Sequence, residues 1–165
     1  MELNRIFDKL WDIYTTQNPT VLQVYDLFVR EGETVQNDHI AFRTFNDPRI
    51  NVDVLADVFI RAGYVEKGHY RFEDKKLFAR HFEHDGLVNA PRVFISELLL
   101  EDFSEKLQRA IREQIDKIPS EMLRSDGIIY SGNTWGKPSF KIYNELKEES
   151  EYAAWVYVFG FCANH

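Results

Sequence analysis

The feature that most constrains this chain is a change of hydropathy period. From Asn37 to Phe45 apolar and polar residues alternate, the pattern of a half-buried strand. Behind Asn51, a residue type suited to capping, Val54, Leu55, Val58, Phe59 and Ile60 follow helical spacing and form the expected buried side, and Gly63 stops the run. Tyr64–Phe72, Leu77–His84 and Arg92–Leu98 then return to strand-like runs, separated by Glu73-Asp74-Lys75-Lys76 and by Asp85-Gly86 through Pro91. The order strand, helix, strand, strand, strand predicts an α+β fold with one βαβββ module over residues 37–100.

Helical segments flank that module. Leu3, Ile6, Phe7, Leu10, Trp11 and Tyr14 lie on one stripe, Asn18-Pro19-Thr20 breaks it, and a second helix follows that ends near Gly32. Residues 1–36 therefore read as an N-terminal helical segment. On the other side, Glu101–Ile118 is expected as one helix closed by Pro119, Ser125–Pro138 as irregular chain, and Ser139–Leu146 and Ser150–Phe161 as two more helices. Residues 101–165 thus read as a helical connection that stops at His165, where a new element should begin.

Composition narrows the function. The 165 residues are 44% hydrophobic and 28% charged, enough apolar content for one packed core. A net charge of -7 with scattered acidic residues argues against a nucleic-acid surface, which needs a concentrated basic face. The first residues lack an apolar run of signal or membrane length, so no membrane partner is expected. The single cysteine, Cys162, has no partner for an internal disulfide, and a cytoplasmic location is the simplest expectation.

Chemistry concentrates on the first strand. Side chains alternate along it, so His39, Ala41, Arg43 and Phe45 share one face and Ile40, Phe42 and Thr44 the other. The Cα atoms of His39 and Arg43 are then separated by roughly 13 Å, a gap that the long arginine narrows. An inward arginine on a strand costs stability unless it meets an anion; a small acid is one candidate, and a structural ion pair with Glu97 is the main competitor. For His39 the alternative to metal ligation is a hydrogen-bonded core histidine.

Three phrases in order resemble one family: Asp38-His39-Ile40-Ala41-Phe42-Arg43-Thr44-Phe45, then Pro91-Arg92-Val93-Phe94-Ile95-Ser96-Glu97-Leu98, then Glu151-Tyr152-Ala153-Ala154-Trp155 leading to Gly160 and Asn164-His165. The chain resembles the 2-oxoadipate dioxygenase/decarboxylase family, also called hydroxyglutarate synthase, whose fold pairs two vicinal oxygen chelate modules. The resemblance implies iron, as Fe(II), held by two histidines and a glutamate, with open positions for a 2-oxo dicarboxylate and dioxygen. His39 matches the first histidine, His165 the second, and Arg43 the substrate-binding arginine. The glutamate has no counterpart in this sequence, so either a natural short form or a piece of a longer protein is expected. For the whole protein the family implies conversion of 2-oxoadipate to 2-hydroxyglutarate and carbon dioxide in lysine catabolism, with no catalytic side chain beyond the metal site.

Two other readings stay open. A glyoxalase-like isomerase or lyase on the same scaffold would need Glu97 as a ligand. A single-module remnant would bind a small acid without catalysis, and would leave its sheet edge and the apolar Tyr152–Phe161 segment uncovered. His81, Glu83 and His84 alternate on a strand and cannot converge on one ion, so they read as solvated strand-end residues. His69 and Arg71 line the cup only if their face points inward. Cys162 reads as a small buried apolar residue, and residues 130–138, with Lys137, as a loop with the option of covering the site.

Overall fold

The computed structural model describes residues 2–164, and their side chains from residue 3 onward. The expected module is present. Strand β1 (His39–Phe45) is followed by helix α3 (Val52–Arg61), then β2 (Tyr64–Phe72), β3 (Leu77–His84) and β4 (Arg92–Leu98), which form a sheet of order β1-β4-β3-β2. β1 pairs with β4 in parallel, and β4 with β3 and β3 with β2 antiparallel. Asn51 caps α3 by accepting the Val54 N–H, and Gly63 leaves the helix at φ 98°.

The face of α3 that packs on the sheet is rotated slightly from expectation. Val52, Leu55, Ala56, Val58 and Phe59 are buried, while Ile60 is 47% exposed. These side chains meet Ile40, Phe42, Val93, Ile95 and Phe82 from one side of the sheet. The other side is therefore the one left to face a groove.

The flanking helices complete the same core. Helix α1 (Glu2–Gln17) contributes Ile6 and Leu10, whereas α2 (Pro19–Arg30) buries none of its residues. The helix expected from residue 101 begins later, because Leu100–Asp102 forms a 3-10 turn and Ser104 accepts the Leu107 N–H to cap α4 (Glu105–Ile115). A short α5 (Ser120–Leu123) follows, and a 3-10 turn at Asp126–Tyr130 occupies part of the 125–138 stretch expected to be irregular. Helices α6 (Phe140–Glu149) and α7 (Glu151–Phe159) follow, and α7 buries Ala153, Ala154, Val156 and Tyr157.

The edge of β1 is not left open. Ala41 and Asn164 exchange both backbone hydrogen bonds at 2.9 Å, and the Thr44 N–H donates to the Tyr152 hydroxyl at 3.0 Å. The Tyr152–Phe161 segment, which the remnant reading would leave uncovered, is in fact partly covered: α7 buries Ala153, Ala154, Val156 and Tyr157, while Phe159 is 48% exposed. Among the described residues, no helix is long and apolar enough to cross a membrane.

Candidate functional site

Strand alternation and cross-strand register together set the open face of the sheet. Arg43 stands opposite Ser96, Ala41 opposite Phe94 and His39 opposite Arg92, while β3 brings Ala79 beside Ser96 and His81 beside Phe94. One strand further, Tyr70 stands opposite Ala79 and Gly68 opposite His81. His39 and Arg43 therefore do share a face, as the period of β1 predicts. A groove of about 700 Å³ lies over the Arg43 end of this face. Ala41, Phe94, Ser96 and Ala79 line it from the sheet, Tyr152 and Trp155 from α7, and Lys75 and Lys76 from the β2–β3 turn, with Glu149 and Glu151 also lining it.

Arg43 is half-buried, and among the described residues its guanidinium has no carboxylate partner. It lies over the Trp155 ring, 4.3 Å from the centroid. The competing ion pair with Glu97 does not form, because Glu97 stands opposite Thr44 and so projects from the other face. There its carboxylate accepts the Val52 N–H at 2.9 Å, at the start of α3. Burial pushes the Glu97 carboxyl above its ordinary range, against the smaller effect of that hydrogen bond. Glu97 is a structural residue of the sheet–helix interface and cannot share a metal with His39.

His39 sits at the exposed start of β1, its side chain 53% exposed. Its Nδ1 lies 3.0 Å from the Asp38 carboxylate and its ring meets Phe94 edge-on, with centroids 5.8 Å apart. A carboxylate on Nδ1 fixes the tautomer that leaves Nε2 as the free donor atom, the arrangement common among metal-bound histidines. His39 therefore fits a metal ligand. Among the described residues, no group of three or more His, Cys, Asp or Glu side chains could hold an ion, so this part of the chain supplies at most part of a shell. His165, the other expected ligand, lies outside the described residues.

Several expectations for neighbouring residues change. His81 is not solvated: its side chain is 13% exposed, stacked on Phe94 at 5.2 Å and hydrogen-bonded through Nδ1 to the Tyr70 hydroxyl at 3.0 Å. Glu83 follows it on the same face, with Oε1 3.6 Å from the His81 Nε2, and His84 turns away to pack against Tyr64. His69 stands opposite Arg80, on the helix side of the sheet, and Arg71 pairs with Glu73, so neither lines the groove. The loop at 130–138 does not roof it either. Asn133 and Trp135 donate to carbonyls of Tyr157 and Val158, which pins that loop to the end of α7. Cys162 is buried as expected, and burial pushes its thiol up.

Sequence reasoning missed Ser96, Tyr152 and Trp155 as parts of the site. The Tyr152 hydroxyl donates to the Ser96 carbonyl at 2.7 Å and lies 2.9 Å from the Ser96 hydroxyl. Burial pushes this phenol far above its usual range, so it stays protonated. The available signal was Tyr152 and Trp155 three residues apart on one helical face, but nothing local in the sequence says which strand that face meets.

The family model described as 2-oxoadipate dioxygenase/decarboxylase matches residues 6–125. A 2-oxoadipate dioxygenase/decarboxylase of Oryza sativa is 35% identical over 97% of this chain, which covers 47% of that protein. A counterpart from Arabidopsis thaliana is also 35% identical over 97% of the chain, covering 46% of that relative. The chain thus spans about half the length of these relatives. Among solved structures, a Shewanella frigidimarina protein described as a hydrolase superposes with a TM-score of 0.91 at 44% identity, covering 99% of this chain and 63% of that one. The rice hydroxyglutarate synthase in complex with 2-oxoadipate gives 0.87 at 34% identity, covering 98% of this chain and 55% of the other. A glyoxalase-superfamily protein of Ralstonia eutropha gives 0.83 at 21% identity, covering 99% and 59%, and supports the fold alone. With the βαβββ module, the open face carrying His39 and Arg43, and a family match over most of its length, the chain belongs to the 2-oxoadipate dioxygenase/decarboxylase family.

Proposed function

We propose that the intact protein is an iron(II)-dependent dioxygenase and decarboxylase that converts 2-oxoadipate, or a close 2-oxo diacid, to 2-hydroxyglutarate and carbon dioxide in lysine catabolism. The observation that carries this reading is Arg43: a half-buried cation without a carboxylate partner among the described residues, set over a groove on the same face as His39. A charge in that position is stabilised by an anionic ligand, and a planar guanidinium binds carboxylate through two parallel hydrogen bonds. The complex of the rice relative with 2-oxoadipate supports the choice of ligand.

In this reading Arg43 binds and orients one carboxylate, and Phe94, Ala79 and Leu77 give the methylene chain an apolar wall. His39 would be one ligand of the iron, with Asp38 holding its ring. Bound iron would supply the redox chemistry for dioxygen, which no side chain here can provide. The atoms close: 2-oxoadipate plus dioxygen equals 2-hydroxyglutarate plus carbon dioxide. The buried single cysteine is compatible with a cytoplasmic site of action. The glyoxalase-like alternative loses its support, because the carboxylate it needs, Glu97, faces α3.

Oxygen uptake and carbon dioxide release, measured with iron(II) and 2-oxoadipate, test the proposal. Release that depends on His39 and Arg43 is expected. No release, or unchanged release in His39→Ala, would overturn it.

A further inference from the structure

The contact between Arg43 and Trp155 is cross-element, and its surroundings explain how it is built. Tyr152 and Trp155 are three residues apart on α7 and both line the groove. The Tyr152 hydroxyl accepts the Thr44 N–H at 3.0 Å and donates to the Ser96 carbonyl at 2.7 Å. It therefore fixes α7 against the residue next to Arg43 and against the residue opposite Arg43 on β4. One turn further along the helix, the Trp155 ring lies under the guanidinium at 4.3 Å and is braced by Phe159, with ring centroids 4.9 Å apart.

An arginine has many rotamers, and a bidentate contact uses only a few of them. A π-face beneath the guanidinium limits its swing while leaving its N–H edge free for an anion, and the attraction strengthens as water leaves. We infer that Trp155, held in place by Tyr152, is a positioning residue that holds the Arg43 guanidinium ready for a substrate carboxylate. The inference rests on Arg43 being the anion-binding group, and the experiment separates the two claims.

The experiment uses the full 165-residue chain and two readouts: the side-chain Nε–H NMR resonance of Arg43, and the dissociation constant for 2-oxoadipate by calorimetry. Trp155→Leu keeps apolar volume without a π-face, and Trp155→Phe keeps a π-face. In the wild type the Arg43 resonance is expected to be displaced by the ring current of Trp155, 4.3 Å away. It is expected to remain partly displaced in Trp155→Phe and to move to the solvent-exposed position in Trp155→Leu. Affinity is expected to fall about tenfold in Trp155→Leu and by less than about threefold in Trp155→Phe. If Trp155→Leu binds like the wild type while Arg43→Ala does not bind, the positioning role is overturned and the anion site survives. If the wild type does not bind, or Arg43→Ala binds equally well, the anion site fails and the positioning role with it. A Trp155→Leu chain that does not fold leaves the resonance in wild type and Trp155→Phe to decide: an undisplaced signal in both overturns the inference.

Discussion

Arg43 and Glu97 show how one residue step changes the role of a charge. They lie on adjacent strands one register position apart, yet Arg43 faces the groove and Glu97 faces α3. A buried carboxyl pushed up in the folded state binds its proton more tightly there than in the unfolded chain. Its contribution to stability is therefore fully present below the ordinary carboxylate pKa and is lost as pH rises through the raised folded value. Glu97→Gln keeps an oxygen for the Val52 N–H without the charge. It is expected to match the wild type below the ordinary carboxylate pKa and to exceed it increasingly as pH rises through the raised folded value, in urea midpoints taken from acid to neutral pH. A wild-type advantage that grows with pH would sink this assignment. Tyr152 makes a second residue-scale case, because its hydroxyl satisfies a backbone N–H that the sheet leaves unpaired. Tyr152→Phe is expected to cost about 1–3 kcal/mol in urea unfolding, and a loss below about 0.5 kcal/mol would mean that water replaces the hydroxyl there.

At the scale of elements, local pattern and long-range placement separate cleanly. The period of 37–45 set the faces of β1, and the Asn51 cap and Gly63 bounded α3, so the half of the site on β1 was legible. Alternation alone puts His81 at a solvated strand end, whereas its shelter comes from Phe94 on β4 and Tyr70 on β2, which only cross-strand register reveals. Trp155 was unassigned for the same reason: α7 returns to β1 across more than a hundred residues. That return depends on Gly160, which ends α7 at φ 67° where Gly132 and Phe161 exchange backbone hydrogen bonds. A Cβ at Gly160 would collide with the Gly132 carbonyl in a conformation that L residues rarely adopt. Gly160→Ala is expected to cost at least about 2 kcal/mol and to weaken 2-oxoadipate binding through α7. Gly136→Ala, where a Cβ meets open space but φ is also positive, isolates backbone strain from collision and should cost less.

For the whole molecule, the decisive quantity is how much of a metal shell this chain supplies. It spans about half the length of its curated relatives, and its described residues place the His39 imidazole on the open face, held by Asp38, without a cluster of three donors that could hold an ion. Metal affinity rises steeply with the number of preorganised ligands, so a partial shell binds weakly and exchanges quickly. The 165-residue chain is therefore expected to keep well under one iron per chain after anaerobic loading and desalting, by elemental analysis. What it does keep should depend on His39 and on the partner that orients it. His39→Ala removes the donor, and Asp38→Asn is expected to weaken binding by about tenfold or more by loosening the ring. Unchanged iron in His39→Ala would place the metal elsewhere. A monomer that retains one iron per chain would show instead that this chain completes the shell by itself.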